Sequence, residues 1–224
     1  YSCTATKSSS DFSNEIFVDV EQSVELPLQR GRIIPLETSD SSLLYDIVSI
    51  DQVKDKYFIR SRNKILTFDT EGNYLYNISG IGQGNKEYVN LSSFFIKNEE
   101  LCIYDFNQGR VLFFAPSGRY LRTEKTVKNS DVECVPQLIR PYGKNKYIAK
   151  NSFNGTPEYV TPALSLLDEK YTITQTLEGH SLHTGFLLFD FMNCDDNGGF
   201  ITYWEALSDT IYAVVNDSMV QPKY

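Results

Sequence analysis

The sequence predicts an all-β fold, a β-propeller of four-stranded blades, on three observations. From Ile33 onward, short runs of β-branched and aromatic residues are interrupted by turn residues every 8–12 positions or so. These runs recur in the same internal order four times, with a period of 44–53 residues. Long segments with a 3.6-residue apolar period are absent; even 11–25, with Phe12, Ile16, Phe17, Val18 and Val20, builds no helical face. A β-sandwich could supply as many strands, but it would not repeat their order at this period.

Each unit opens with an apolar run: Ile47-Val48-Ser49-Ile50, Phe94-Phe95-Ile96, Gln137-Leu138-Ile139 and Leu187-Leu188-Phe189-Asp190-Phe191. A second strand follows at Lys56–Arg60, Leu101–Asp105, Lys146–Lys150 and Phe200–Trp204. The third and fourth strands give the strongest repeat. Lys64–Leu75 aligns with Arg110–Leu121, with Gly72 and Gly118 46 residues apart. Glycine is expected at that slot because a tight turn there needs a positive φ, which costs a residue with a Cβ about 1 kcal/mol or more. Leu66 and Phe68 match Leu112 and Phe114 on one pleat face, so the same face is expected to be buried in both copies. Weaker copies occupy Ala163–Tyr171 and Thr210–Ser218.

Composition narrows the function classes. The chain has 224 residues, 41% of them apolar and 13% aromatic, which is too much core material for a disordered chain. The formal net charge of −8 opposes a nonspecific nucleic-acid coat, and no window of about 18 apolar residues offers a membrane span. Four scattered cysteines, Cys3, Cys102, Cys134 and Cys194, form no C-x-x-C pair and suit neither a structural zinc site nor a dense disulfide framework. Cys102 sits in an apolar strand and reads as a buried thiol. Residues 1–32 read as an N-terminal tether and lead-in, polar and Ser/Thr-rich at the start. Cys3 after the small Ser2 is similar to the lipid-modified cysteine of a bacterial lipoprotein, although Tyr1 is a poor match to the apolar residue usual two positions earlier.

Three segments carry a family resemblance. Ile33-Ile34-Pro35-Leu36-Glu37-Thr38 resembles the "Y-I-P-L-E-T" entry strand of NHL-like six-bladed β-propeller lipoproteins of anaerobic gut bacteria. Gly80-Ile81-Gly82-Gln83-Gly84-Asn85-Lys86-Glu87-Tyr88 resembles the "G-x-x-G-Q-G-P-G-E-Y" link between that group's first two blades, with Asn85-Lys86 in place of Pro-Gly. Phe68 to Leu75 matches its "F-D-x-x-G-x-x-L" hairpin. The resemblance implies that 33–224 is a propeller whose first strand, Ile33 to Leu36, completes the last blade. About four units are present where the family has six, so a fragment of a six-bladed protein is expected; edge-to-edge pairing of two chains and a closed four-bladed ring stay open. The resemblance informs fold more than activity.

Several local patterns imitate known sites. The Gly80–Gly84 loop lacks the following helix that a phosphate cradle needs, and reads as an interblade turn. Asn193–Gly198 opens like a calcium loop, but Trp204 stands where the closing Glu is required, which favours a hairpin turn. His180 and His183, near Glu178, could hold a metal if helical, but fall where a polar loop is expected. The N-x-[ST] sites at Asn77, Asn90, Asn154 and Asn216 read as coincidental in a bacterial-looking chain. No Ser-His-Asp arrangement can be argued.

One set of positions invites a function. At the ends of the four second strands stand Arg60, Tyr104-Asp105, Lys150-Asn151 and Tyr203-Trp204. Strand-end loops of successive blades converge around a propeller's channel, where aromatic and charged side chains could grip a glycan or peptide. The expected protein is a non-catalytic binding or scaffold propeller of the cell envelope, periplasmic or surface-exposed, with no cofactor and no nucleic-acid partner. Any membrane attachment would run through Cys3. A propeller enzyme of lyase or lactone-hydrolase type with a channel metal is the second reading. A structural module that self-associates, or takes a C-terminal companion segment along its open blade edges, is the third.

Overall fold

The computed structural model describes residues 31–126, 135–152, 162–177, 191–194, 201–204, 210–217 and 219–222. They form four antiparallel sheets of four strands in a β-propeller arrangement, each sheet a simple meander, with no helix among the described residues. The first sheet is β1 (Ser49–Val53), β2 (Lys56–Ser61), β3 (Lys64–Asp69) and β4 (Tyr74–Ile78). The second is β5 (Ser93–Lys97), β6 (Glu100–Asp105), β7 (Arg110–Phe114) and β8 (Tyr120–Lys125). The third is β9 (Val135–Tyr142), β10 (Lys146–Ser152), β11 (Leu164–Leu167) and β12 (Ile173–Leu177). The fourth is β13 (Phe191–Cys194), β14 (Ile201–Trp204), β15 (Ile211–Asn216) and β16 (Met219–Pro222). The first strands approach one another in sequence, β1 to β5, β5 to β9 and β9 to β13, as strands lining a central channel do.

The repeat seen in the sequence is a repeat of one turn. In the first sheet the Gly72 N–H donates to the Asp69 carbonyl, and the Asp69 carboxylate accepts from the backbone of Glu71 and Asn73, both at 2.9 Å. Gly72 and Gly118 take φ of 89° and 79°. Phe68 meets Tyr74 edge-on at 5.9 Å, and Phe114 meets Tyr120 edge-on at 5.8 Å. The third sheet builds the same turn without glycine. Asp168 caps Lys170 and Thr172 at 2.9 Å, and Tyr171 occupies the glycine slot at φ 62°. That left-handed backbone is strained for a tyrosine, and burial of its ring against Tyr147 offsets the strain.

Stacking of the sheets makes the core. Between the first two lie Phe58, Ile65 and Ile78 against Phe94, Leu101, Ile103 and Leu112. The opposite face of the second sheet, with Phe95, Cys102, Val111 and Phe113, packs on Ile139, Tyr147, Ala149 and Leu167 of the third. Ile148, Leu164 and Leu166 then meet Ile201 and Val214 of the fourth. Because both faces of an interior sheet are covered, every residue of β7 and of β11 is buried, including Arg110 and Ser165, and apolar residues stand on both faces instead of alternating with exposed polar ones. Each large side chain so buried contributes about 1.5–3 kcal/mol.

The first sheet has no such neighbour on its outward face among the described residues, and the lead-in covers part of it. Leu36 and Leu44 pack with Ile59, Leu66 and Phe68. Ile33 to Leu36 joins none of the four sheets. It runs past the β3–β4 turn, held by the Glu37 N–H on the Gly72 carbonyl at 2.8 Å, the Tyr74 N–H on the Glu37 carboxylate at 3.0 Å and an Arg32–Glu71 ion pair at 2.6 Å. Pro35 offers no N–H for a ladder.

The sequence places the opening run of the fourth sheet at 187–191; within the described residues the strand comprises Phe191–Cys194, with Phe191 opposite Trp204 and Cys194 opposite Ile201. Asn193 and Cys194, expected in a hairpin turn, are therefore ladder residues; 187–190 and 195–200 lie outside the described residues.

The lead-in contact gives a test. A Cβ on Gly72 would run into the Pro35 carbonyl, whereas a Cβ on Gly143, also at positive φ (61°), meets nothing within 4 Å. Gly143→Ala should lose only the backbone preference, about 1 kcal/mol. Gly72→Ala should lose clearly more in urea denaturation, and equal losses would show that the lead-in does not press on this turn.

Candidate functional site

The positions singled out from the sequence stand at or near the C-terminal ends of β2, β6, β10 and β14, the second strands of the four sheets. Their side chains do different work. Tyr104 is buried, and its hydroxyl donates to the Pro136 carbonyl at 2.8 Å, joining the second sheet to the third. Burial pushes its ionisation well above the ordinary tyrosine range.

Asp105 is wholly buried and organises the link between the first two sheets. Its carboxylate accepts from the Val89 N–H at 2.8 Å and the Gln108 N–H at 3.3 Å, with Arg110 Nε 4.0 Å away. Arg110 and Gln108 in turn donate to carbonyls of the Gly-rich loop, Gly84 at 3.0 Å and Gly82 at 3.4 Å. That loop closes on itself through Tyr88 N–H to Gly80 O and Gly82 N–H to Tyr88 O, and no helix follows it. It is an interblade turn.

Lys150 and Asn151 are also buried, at a register shift in the β9–β10 ladder. Asn151 donates to the Pro162 carbonyl at 2.9 Å and to Ser165 Oγ at 2.8 Å, and Lys150 has interactions of its own. Tyr203 and Trp204 pair through their backbones with Met192 and Phe191; their side chains lie outside the described residues.

Arg60 differs from these. It is half-buried, and its Nη1 donates to the Ser92 carbonyl at 2.8 Å, just before the inner strand β5. Arg140, from β9 of the third sheet, reaches the same strand from the other side and donates to the Phe94 carbonyl. Two guanidinium groups thus converge on one stretch of the second sheet. Burial first, and then repulsion from Arg140, lowers Arg60 to about 10, only partly countered by the Asp46 charge. Asp46 itself is engaged by Ser61 Oγ at 3.0 Å and the Arg62 N–H at 2.8 Å. Sequence reading missed Arg140. Its one signal was a charge directly after the apolar Leu138-Ile139, and nothing in one dimension says that it meets Arg60.

At the opposite ends of the strands, a cleft of about 300 Å³ opens between the second and third sheets, lined by Lys97, Arg122, Glu100, Glu124, Tyr147 and Tyr171 among others. Its charges are largely matched. Arg122 pairs with Glu100 at 2.9 Å and Glu124 at 2.8 Å while lying 3.8 Å over the Phe113 ring. Lys97 donates to the Tyr147 hydroxyl at 2.6 Å, and that hydroxyl lies 2.9 Å from Tyr171 Oη. Burial pushes Tyr147 up to about 12 and lowers Lys97.

Cys102 is buried, as expected, and burial pushes its thiol far above the normal range. Cys3, the possible lipid site, and His180 and His183 lie outside the described residues. Among the described residues, no group of three or more His, Cys, Asp or Glu could hold a metal ion, and no helix is long and apolar enough to cross a membrane.

A family model described as a domain of unknown function, DUF4934, matches residues 22–224, and the chain belongs to that family. Among solved structures, a protein of Bacteroides fragilis whose name marks it as a candidate for export is 18% identical, with a TM-score of 0.67 over 85% of this chain and 53% of its own. A member of the DUF4221 family from Bacteroides vulgatus is 9% identical, with a TM-score of 0.53 over 84% of this chain and 60% of its own. At such identities the likeness shows the fold alone. The chain spans between half and two thirds of the length of these two structures. No curated protein matches it.

The role of Asp105 can be measured. Asp105→Ala should leave the Val89 and Gln108 amides without their acceptor and destabilise the protein by about 1–3 kcal/mol. Urea denaturation checks this, and a loss under ~0.5 kcal/mol would return Asp105 to the residues free to meet a ligand.

Proposed function

We propose that this member of the DUF4934 family is a non-catalytic binding or scaffold propeller of the bacterial cell envelope that holds a glycan or peptide at the channel rim. The observation that carries the reading is the half-buried Arg60 at the end of β2, whose guanidinium reaches the Ser92 carbonyl just before the inner strand β5. In this reading Tyr104, Asp105, Lys150 and Asn151 support the site through their internal hydrogen bonds, and Tyr203 and Trp204 are the fourth sheet's contribution. The export label on the Bacteroides fragilis structure supports an extracytoplasmic location, and attachment through Cys3 belongs to the same reading. So does membership in a six-bladed, NHL-like lipoprotein group.

A glycan and peptide array on the purified chain tests this. Trp204→Ala should weaken a captured ligand by about 0.5–1.5 kcal/mol, roughly two- to twelve-fold, with the strand circular dichroism unchanged. Unchanged affinity with unchanged fold removes Trp204 from the site. A stoichiometric metal in elemental analysis would favour the propeller enzyme instead.

Assembly forms part of the proposal. Val48, just before β1, and Ile50 within it are 52% and 54% exposed, and Val215 on the fourth sheet is 55% exposed. Apolar sheet faces and open edges favour further pairing. The isolated chain is expected to self-associate, or to take up a companion polypeptide carrying more blades, in light scattering coupled to size exclusion. A compact, well-behaved monomer would contradict this and favour a ring closed by four blades.

A further inference from the structure

Arg60 and Arg140 come from sheets on either side of β5 and fasten to carbonyls two residues apart, Ser92 and Phe94. In extended chain that spacing is roughly 7 Å. Each guanidinium is held to one of these two carbonyls, which brings both to one short stretch of chain, where a carboxylate or sulfate has an oxygen to offer to each. Each guanidinium has five donors. Arg60 uses Nε, on the Arg62 carbonyl, and Nη1; Arg140 uses Nη1. Among the described residues neither has a carboxylate within ion-pairing distance, unlike Arg32 and Arg122. Their remaining donors are also not among the sealed, partnerless atoms, which are Thr67 Oγ1 and Arg110 Nε. Arg60 feels the repulsion of Arg140, and the Asp46 charge counters it only in part, so an anion bound between the two groups would relieve it.

We propose that Arg60 and Arg140 form an oxyanion site on the channel side of the second sheet, taking a single carboxylate or sulfate group of the ligand. The inference rests on the reading of the channel rim as a binding surface and names the chemistry that the surface selects. Arginine suits it because the planar fork matches both anions. The overall charge of −8 disfavours a polyanion such as nucleic acid, so an isolated anionic group on an otherwise neutral molecule fits best.

Calorimetric titration of the full chain tests the site. Glucuronate and N-acetylglycine present the carboxylate from a sugar and from a peptide-like source; glucose and N-acetylglycinamide are their neutral counterparts. At least one charged probe should bind ten-fold or more tightly than its counterpart, and which one does identifies the source. Arg60→Gln and Arg140→Gln retain a donor for the Ser92 and Phe94 carbonyls, and each should weaken the charged probe ten-fold or more. Should either variant fail to fold, phenylglyoxal modification of the wild-type chain supplies the answer by mass spectrometry. Sulfate should protect Arg60 and Arg140 while the exposed Arg119 reacts as before. Equal binding of charged and neutral probes, or equal protection at all three arginines, overturns the site. An array ligand that depends on Trp204 but on neither arginine overturns the oxyanion assignment and leaves the rim reading standing; no ligand and no oxyanion effect overturns both.

Discussion

A four-stranded sheet whose two faces are both apolar cannot stand alone in water. The second and third sheets here present apolar stripes on both sides, and these stripes are buried by the neighbouring sheets. This requirement sets the architecture. It explains why β7 and β11 are buried at every position, and why the lead-in lies across the outward face of the first sheet, where Leu36 and Leu44 cover Ile59, Leu66 and Phe68. Even the strained backbone of Tyr171 follows from it, since its ring has a place in the interface between the second and third sheets.

Stacking apolar faces does not fix how successive sheets align at the channel. Polar groups near the inner strands do that. Ser93 Oγ lies 3.3 Å from the Ile139 carbonyl and 3.2 Å from its N–H, tying β5 to β9. Tyr104 joins the same two sheets, and Asp105 with Arg110 secures the link from the first sheet to the second. In an apolar setting such groups are costly if unpaired, so they specify one alignment. The same demand decides what the channel rim can offer a ligand. Strand-end polar residues consumed by the fasteners have little left to donate, whereas Arg60 and Arg140, each holding one β5-side carbonyl, have donors to spare.

Much of the fold was legible because its repeat is local. Gly72 and Gly118 announce a positive φ, and the Phe68–Tyr74 and Phe114–Tyr120 pairs follow at the same offset. The third copy was fainter because Tyr171 takes the glycine's place, a substitution that only its burial against Tyr147 makes tolerable. Asn193 and Cys194 read as turn residues from their polar neighbours, yet they enter the ladder by pairing with Thr202 and Ile201.

By itself the sequence determined the all-β class, the four-stranded unit, its turns and the buried thiol of Cys102. Each depends on residues within one unit, where side-chain alternation and turn chemistry act over a few positions. Only the tertiary structure decided which polar residues hold sheets together. Tyr104 and Asp105 look as available as Arg60 in one dimension, yet their partners lie 32, 16 and 3 residues away on other strands and loops. The convergence of Arg60 and Arg140 on the Ser92 and Phe94 carbonyls depends on three sheets at once. Whether a charge is satisfied is set by distance in space, and spacing along the chain carries no record of it.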